Sequence, residues 1–355
     1  MVITWMVTAF PFVFMCALLY VLPYLSRRTQ FFAVTVPPDF RERPEARDIV
    51  RKYRYQVLVH SVLGLCGYVL VAVRNMPAWI VVPIVWPAIG ALIAVVLAHG
   101  AAQRYAEPPS GVRVALLQSR PRPLPGGPLV WGGPFAILAA CAAYIGWHWG
   151  DIPARFPIHW GFDNQPNGWA VRSISGVYMP LLIGALACLL MLFFVWQIVK
   201  NSRGSTAMRL VVVRLLLGLS YVVAALFGWL TASLPLGHGA PSPFNLGLIM
   251  LSVAVIICAA VFFGIRAKEE PEPGISGGAP VPASVLGLSP GFSGDNTADR
   301  NWVGGLFYFN PDDPAVFIEK RIGIGYDLNF GNPRAWLFMG AILLIPVAVV
   351  LLARL

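Results

Sequence analysis

Five side chains in this 355-residue chain carry the chemistry of a divalent-metal site: His148, Asp151, His159 and Asp163 in one loop, and His238 in the loop two apolar runs later. Imidazole nitrogens with carboxylate oxygens suit Zn or a similar ion. The same loop, Asp151 to Trp169, is dense in Pro, Gly and Trp. His159, Trp160, Asp163, Asn164, Asn167 and Trp169 also form a set of aromatic faces and polar groups suited to recognising a peptide. A third reading is structural: prolines fix φ and stiffen the loop, His159 bonds backbone carbonyls or Asp163, and Trp160 and Trp169 anchor at a membrane interface. No His-x-x-x-His or His-Glu-x-x-His pair preassembles ligands on one helix face, which disfavours a catalytic metal. An imidazole near its ordinary pKa of about 6.5 would also make His159 a candidate sensor of outside pH.

The elements that must position this loop are membrane helices. The chain is 57% hydrophobic and only 12% charged, against roughly 25% charged in a soluble domain. Several apolar runs exceed the ~18 residues that mark a spanning helix. We read an all-α polytopic bundle of about eight spans, near residues 3–25, 55–74, 77–98, 129–149, 174–199, 210–235, 244–265 and 334–353, the second and third closed into an antiparallel hairpin by the turn Arg74-Asn75-Met76-Pro77. Segments after the odd-numbered spans hold 22 of the 26 Lys and Arg residues. By the positive-inside rule these segments are cytoplasmic, both termini are outside, and the His159 loop faces away from the cytoplasm. The net charge of +10 thus reflects orientation and implies no nucleic-acid partner. The first run lacks preceding basic residues and is followed by Arg27 and Arg28, the reverse of a cleavable signal peptide.

All five cysteines lie in apolar runs and read as small apolar residues. No Asp or Glu falls within a spanning run, which weighs against an ion-coupled transporter. Residues 26–54 open with an extended apolar piece, Phe31 to Val36, and turn helical at Pro44, a good first-turn residue. Asp48 supports Lys52 one turn on. Arg47, Arg51, Lys52 and Arg54 there meet either anionic lipid or a cytoplasmic partner. Residues 268–299 contain 11 Pro or Gly among 32, a linker composition expected to be disordered.

Order is expected to return at Asn301. Asn310-Pro311-Asp312-Asp313-Pro314 is a strong turn signal, and Ile322, Ile324, Tyr326, Leu328 and Phe330 alternate with small or polar residues as in a half-buried strand. This makes a small cytoplasmic hairpin or cap before the last span. Asp312 and Asp313 read as turn residues, and with Lys320 and Arg321 they offer a second partner surface. Gly323 and Gly325 lack the third glycine and following helix of a nucleotide fingerprint.

Two stretches resemble known families. Ile152-Pro153-x-x-Phe156-Pro157-x-His159-Trp160, with Gly161, Asp163 and Pro166-Asn167-Gly168-Trp169, resembles the signature of domain of unknown function 1648, over about residues 129–200. Asn164-Gln165 stands where that signature has a Gly, and Val171-Arg172 where a Lys often follows the Trp. The domain occurs in SdpI-like bacterial membrane proteins, which include an immunity protein against a secreted peptide toxin whose membrane part also captures a cytoplasmic repressor. Gly305 to Pro314, Glu319 to Gly325 and Leu328 to Gly331 resemble domain of unknown function 5808, often found at the end of such proteins.

The organisation expected is therefore a three-helix region at 1–128, a helix-loop-helix unit at 129–200, two further helices at 201–265, a linker at 266–299, the cap at 300–333 and a last helix at 334–355. The resemblance implies a non-enzymatic immunity or signalling receptor of the bacterial inner membrane. Its partners would be the lipid bilayer, a secreted peptide or envelope component outside and a regulatory protein inside, with no cofactor. A membrane enzyme with an outer metal site and a small-molecule transporter are the alternatives.

Overall fold

The computed structural model describes residues 2–107, 126–160, 165–237, 243–269 and 297–352. Among them are eight α-helices: α1 (Val2–Val21), α2 (Pro44–Val73), α3 (Val81–Ala102), α4 (Gly127–Trp147), α5 (Ile174–Asn201), α6 (Thr206–Ser233), α7 (Pro243–Glu269) and α8 (Pro333–Leu352). Six helical stretches, in α2 through α7, are long and apolar enough to cross a membrane. The described apolar stretches at either end, Ala9–Tyr24 and Pro333–Leu344, are shorter. A helix satisfies its own backbone hydrogen bonds, which hydrocarbon cannot do, so exposed apolar side chains such as Val62, Leu63, Leu92, Ile93 and Leu189 form a lipid-facing belt. The chain is a multi-pass membrane protein.

Helix starts follow local chemistry. Pro44 opens α2 at its first position, where the missing N–H costs nothing. Ser173 caps α5 by accepting from Gly176 N at 3.0 Å, and Ser205 caps α6 by accepting from Met208 N at 3.1 Å. The juxtamembrane helix expected from Pro44 and the second span form one continuous helix of 30 residues, because no breaker separates them. α2 and α3 pack as the expected antiparallel hairpin, with Asn75 left-handed (φ 50°) in its turn and Met76 N bonded to Val71 O at 3.0 Å. α6 sits against α4, α5 and α7.

Nine short strands interrupt the all-α plan: β1 (Gln30–Phe31), β2 (Val34–Thr35), β3 (Arg155–Trp160), β4 (Pro166–Val171), β5 (Ser202–Arg203), β6 (Trp302–Val303), β7 (Phe307–Tyr308), β8 (Phe317–Glu319) and β9 (Tyr326–Leu328). β3 and β4 form a hairpin between α4 and α5. All the others gather at the opposite end of α5, about 42 Å away for 28 residues at 1.5 Å each.

There, β5 pairs parallel with β8, and β8 antiparallel with β9. The strand sequence thus draws on two chain segments more than a hundred residues apart, which local periodicity does not disclose. The expected strand over Ile322 to Phe330 is shorter than its alternation suggests, beginning only at Tyr326. Gly323 and Gly325 adopt positive φ (82° and 114°) and turn the chain back, so that Lys320 N reaches Gly325 O at 3.0 Å. The Asn310 to Pro314 turn is present, with Asp312 N bonded to Asn310 Oδ1 at 3.1 Å, but β7 and β8 on its two sides do not pair with each other. Instead β6 pairs with β7, and β8 takes β5 and β9.

The apolar piece Phe31 to Val36 is not one extended strand. It folds into the tight β1–β2 hairpin, with Phe32 (φ 45°) and Ala33 (φ 65°) both left-handed, a conformation costing roughly 1–2 kcal/mol per non-glycine residue. Side chains from elsewhere hold both carbonyls: His99 Nδ1–H donates to Phe32 O and Arg321 Nη1 to Ala33 O, each at 2.7 Å. Phe31, Phe32, Val34, Val36 and Phe40 are buried together against α2 and α3.

Candidate functional site

The β3–β4 hairpin is fastened at its base, at the ends of α4 and α5. Ile152 and Phe156 are buried with Ile145 of α4 and Val177 of α5. Arg172 closes the base, its Nη1 donating to Ile152 O at 2.8 Å and its backbone N to Ala154 O at 3.0 Å. Trp149 stacks on Tyr178, with ring centroids 6.1 Å apart. The prolines at 153 and 157 sit where no ladder donor is needed or at the irregular edge of the pairing.

Beyond Pro157 the register shifts on both sides of His159, which pairs with Gly168. Such bulges re-aim side chains. A Cβ on Gly168 would lie 2.8 Å from His159 Cβ, so the Asn-Gly-Trp motif has a steric cause: only glycine lets the histidine strand approach. His159 Nδ1–H hydrogen-bonds Asn167 Oδ1. Both residues are exposed, as are Ile158 and Trp169. The Arg155 guanidinium lies 5.3 Å from the Trp169 ring centroid, a cation–π contact that steadies an indole otherwise open to its surroundings. The result is a rigid, solvent-facing strip of an indole, an imidazole, an amide and a guanidinium.

Of the candidate metal ligands, His148 hydrogen-bonds Tyr144 O at 3.0 Å through Nδ1, and Asp151 is exposed at the hairpin entrance. Asp163, Asn164 and His238 lie outside the described residues. Among the described residues no three His, Cys, Asp or Glu side chains converge.

The other end of the bundle treats its polar residues differently. Arg321, expected on a partner surface, is 1% exposed. It donates to Ala33 O, Asp299 Oδ1 at 2.5 Å and Thr297 O at 2.6 Å, and lies over the Trp302 ring. Asp313, also expected outside, is buried, accepting from Arg203 Nη1 at 2.8 Å and from the Tyr308 hydroxyl at 3.1 Å. Asp312 is exposed and Lys320 half-buried beside Asp327, 3.2 Å away. On α2, Arg47, Arg51 and Lys52 are exposed, Lys52 and Arg51 pairing with Asp48, whereas Arg54 is half-buried.

Several residues of this network escaped sequence reasoning. Arg27 and Glu319 form a fully buried ion pair at 3.1 Å, and Glu319 also accepts from Ser205 N at 2.7 Å. Lys268, in the last turn of α7, donates to the carbonyls of Leu25 (3.0 Å), Lys320 (2.9 Å) and Gly323 (2.6 Å). The one local signal was Glu319 itself, a carboxylate directly after Val316-Phe317-Ile318. Burial pushes the Asp327 carboxyl up from its ordinary range, with Lys320 pulling part of the way back.

The geometry thus describes a helical membrane protein with one exposed hairpin and one interlocked cap. A family model described as a domain of unknown function (DUF1648) matches residues 136–184, which run from α4 through the hairpin into α5. A second, a family of unknown function (DUF5808), matches residues 311–336, from the Asp312 turn through β8 and β9 to the start of α8. No curated protein and no solved structure matches the chain.

Proposed function

We propose that the chain is a non-enzymatic receptor of the bacterial inner membrane, of the SdpI-like immunity or signalling type, in which the β3–β4 hairpin recognises a secreted peptide or an envelope component. The observation that carries this reading is the exposed Trp169–His159–Asn167 strip on a hairpin whose base is locked by Arg172 and Phe156. A rigid aromatic anchor with adjacent hydrogen-bonding groups is what binding hot spots are made of. All eight helices span the bilayer in this reading, with both termini and the hairpin outside. The cap lies in the cytoplasm, where Lys52, Asp312 and Lys320 remain accessible to a regulatory protein. The bias of 22 basic residues to 4 across the two sides supports that orientation.

The test is protection. The chain is expressed in a host sensitive to secreted toxic peptides, beside His159→Ala and Trp169→Ala variants matched for membrane level. Protection by the wild type that both variants lose supports the proposal. Wild-type cells as sensitive as the empty host overturn its immunity form. Reporter fusions after residues 165 and 320 that give the same sidedness overturn the topology.

A further inference from the structure

A cavity of about 540 Å³ opens beside the first turns of α2, and its lining has one sign of charge. Arg41, Arg47, Arg51 and Arg54 line it and, among the described residues, no carboxylate does. Arg47, Arg51 and Arg54 follow one another at helical spacing, so they share one stripe of α2 over roughly 10 Å. Leu58 continues the same stripe and is 49% exposed, and Tyr55 beside it is 69% exposed. The cavity therefore passes from a cationic end to an apolar wall on the lipid-facing side of the helix.

The four arginines are not equivalent. Arg41 is committed to the fold, donating to Pro23 O, Ser26 Oγ and Gln30 O at 3.0, 2.8 and 2.8 Å. Arg51 shares Asp48 with Lys52. Arg54 lies beside two phenol rings, its guanidinium 4.4 Å from the Tyr20 centroid and 4.9 Å from that of Tyr24, and its buried Nε, like that of Arg41, has no hydrogen-bond partner among the described residues. An orphaned buried donor is destabilising, because it has given up its bonds to water without replacing them. That cost vanishes when an anion accepts from it, and a guanidinium fork matches a phosphate in a bidentate way.

We propose that this cavity binds the headgroup of an anionic phospholipid, its phosphodiester on Arg54 and Arg47 and its acyl chains running along Tyr55 and Leu58. The apolar continuation is what favours a lipid over free phosphate, which would use the cationic end alone. The site is separate from the hairpin and does not depend on the receptor reading.

The full-length protein is purified in mild detergent and offered equimolar phosphatidylglycerol and phosphatidylcholine with identical acyl chains, and retained lipid is read by native mass spectrometry. Retention of phosphatidylglycerol about tenfold over phosphatidylcholine is expected. This wild-type comparison needs no variant, and equal retention overturns the proposal. The pair Arg47→Gln/Arg54→Gln should abolish the preference. The pair Arg28→Gln/Lys52→Gln removes the same charge from residues that do not line the cavity and should keep it. Equal losses in both pairs would mean bulk charge attraction and overturn a built site. Inorganic phosphate or glycerol phosphate in excess should not displace the lipid. Displacement would make the occupant a free phosphate and overturn the lipid assignment.

Discussion

The two ends of α5 put the same kinds of side chain to opposite uses. At its N-terminal end the hairpin leaves His159, Asn167 and Trp169 exposed, with one side-chain hydrogen bond between the first two. At its C-terminal end the cap buries Arg27, Arg321, Asp313, Glu319 and Asn329, pairs Arg27 with Glu319 and gives the other four several partners each. A buried charge persists only when it is paired, so the cap's polar residues are consumed by the fold. The hairpin's remain available to something else. Residue type alone does not separate a binding residue from a structural one, and accessibility with free hydrogen-bonding capacity does.

The contrast breaks most readily in the cap. Replacing Glu319 by Ala leaves Arg27 buried and unpaired and strands Ser205 N, and should cost about 3–5 kcal/mol. The change would be read as a large drop in thermal midpoint in detergent, and a midpoint within a degree of wild type would contradict the interlocked cap. The hairpin has one position of comparable weight, its anchor. Phe156→Ala empties a pocket shared with Ile145, Ile152 and Val177 and should cost about 3 kcal/mol. It should free the hairpin to proteolysis while leaving the cap's amide protection unchanged.

Asn329 tests the cap's neutral polar groups. Its side-chain nitrogen donates to the carbonyls of Asn310, Asp313 and Ala315, and its oxygen accepts from the amides of Asn310 and Gly331. Asn329→Ala should therefore destabilise by about 2–3 kcal/mol, with faster hydrogen exchange at Asn310 and Gly331.

Asp327 gives a weaker, pH-dependent effect. Its carboxyl has a raised pKa in the fold, so the native state holds the proton more tightly than the unfolded chain. The resulting stability is present below the unfolded pKa and is lost as pH rises through the folded one. A melting series across that interval should fall with pH in the wild type and flatten in Asp327→Asn. At the other end of the scale, His159→Ala and Trp169→Ala should change stability by no more than about 0.5 kcal/mol, as exposed positions do. A loss comparable with that of Glu319→Ala would make the strip structural and erase the contrast.

Much of the frame was legible in the sequence. Apolar run length located the helices, because hydrocarbon demands about 20 apolar residues per span. Pro44, the Arg74 to Pro77 turn and the Asn310 to Pro314 turn carried their own local chemistry. The Pro-x-His and Asn-Gly-Trp spacing of the hairpin was visible too, although the bulge at His159 and the contact that requires Gly168 were not. Less legible were Arg321 and Asp313, which read as surface charges because nothing within a few residues announces their partners. Those partners, Ala33, Asp299 and Arg203, come from separate parts of the chain.

The sequence by itself determined that this is a multi-pass membrane protein, where its apolar helices run and which loop carries the recognisable motif, since each of these depends on composition and spacing within one segment. Only the tertiary structure decided which polar residues are accessible. It brought β5 to β8, Arg321 to the strained Phe32–Ala33 turn and Arg54 of α2 to Tyr20 and Tyr24. Burial is a property of segments meeting, and the segments that meet here are up to about 290 residues apart.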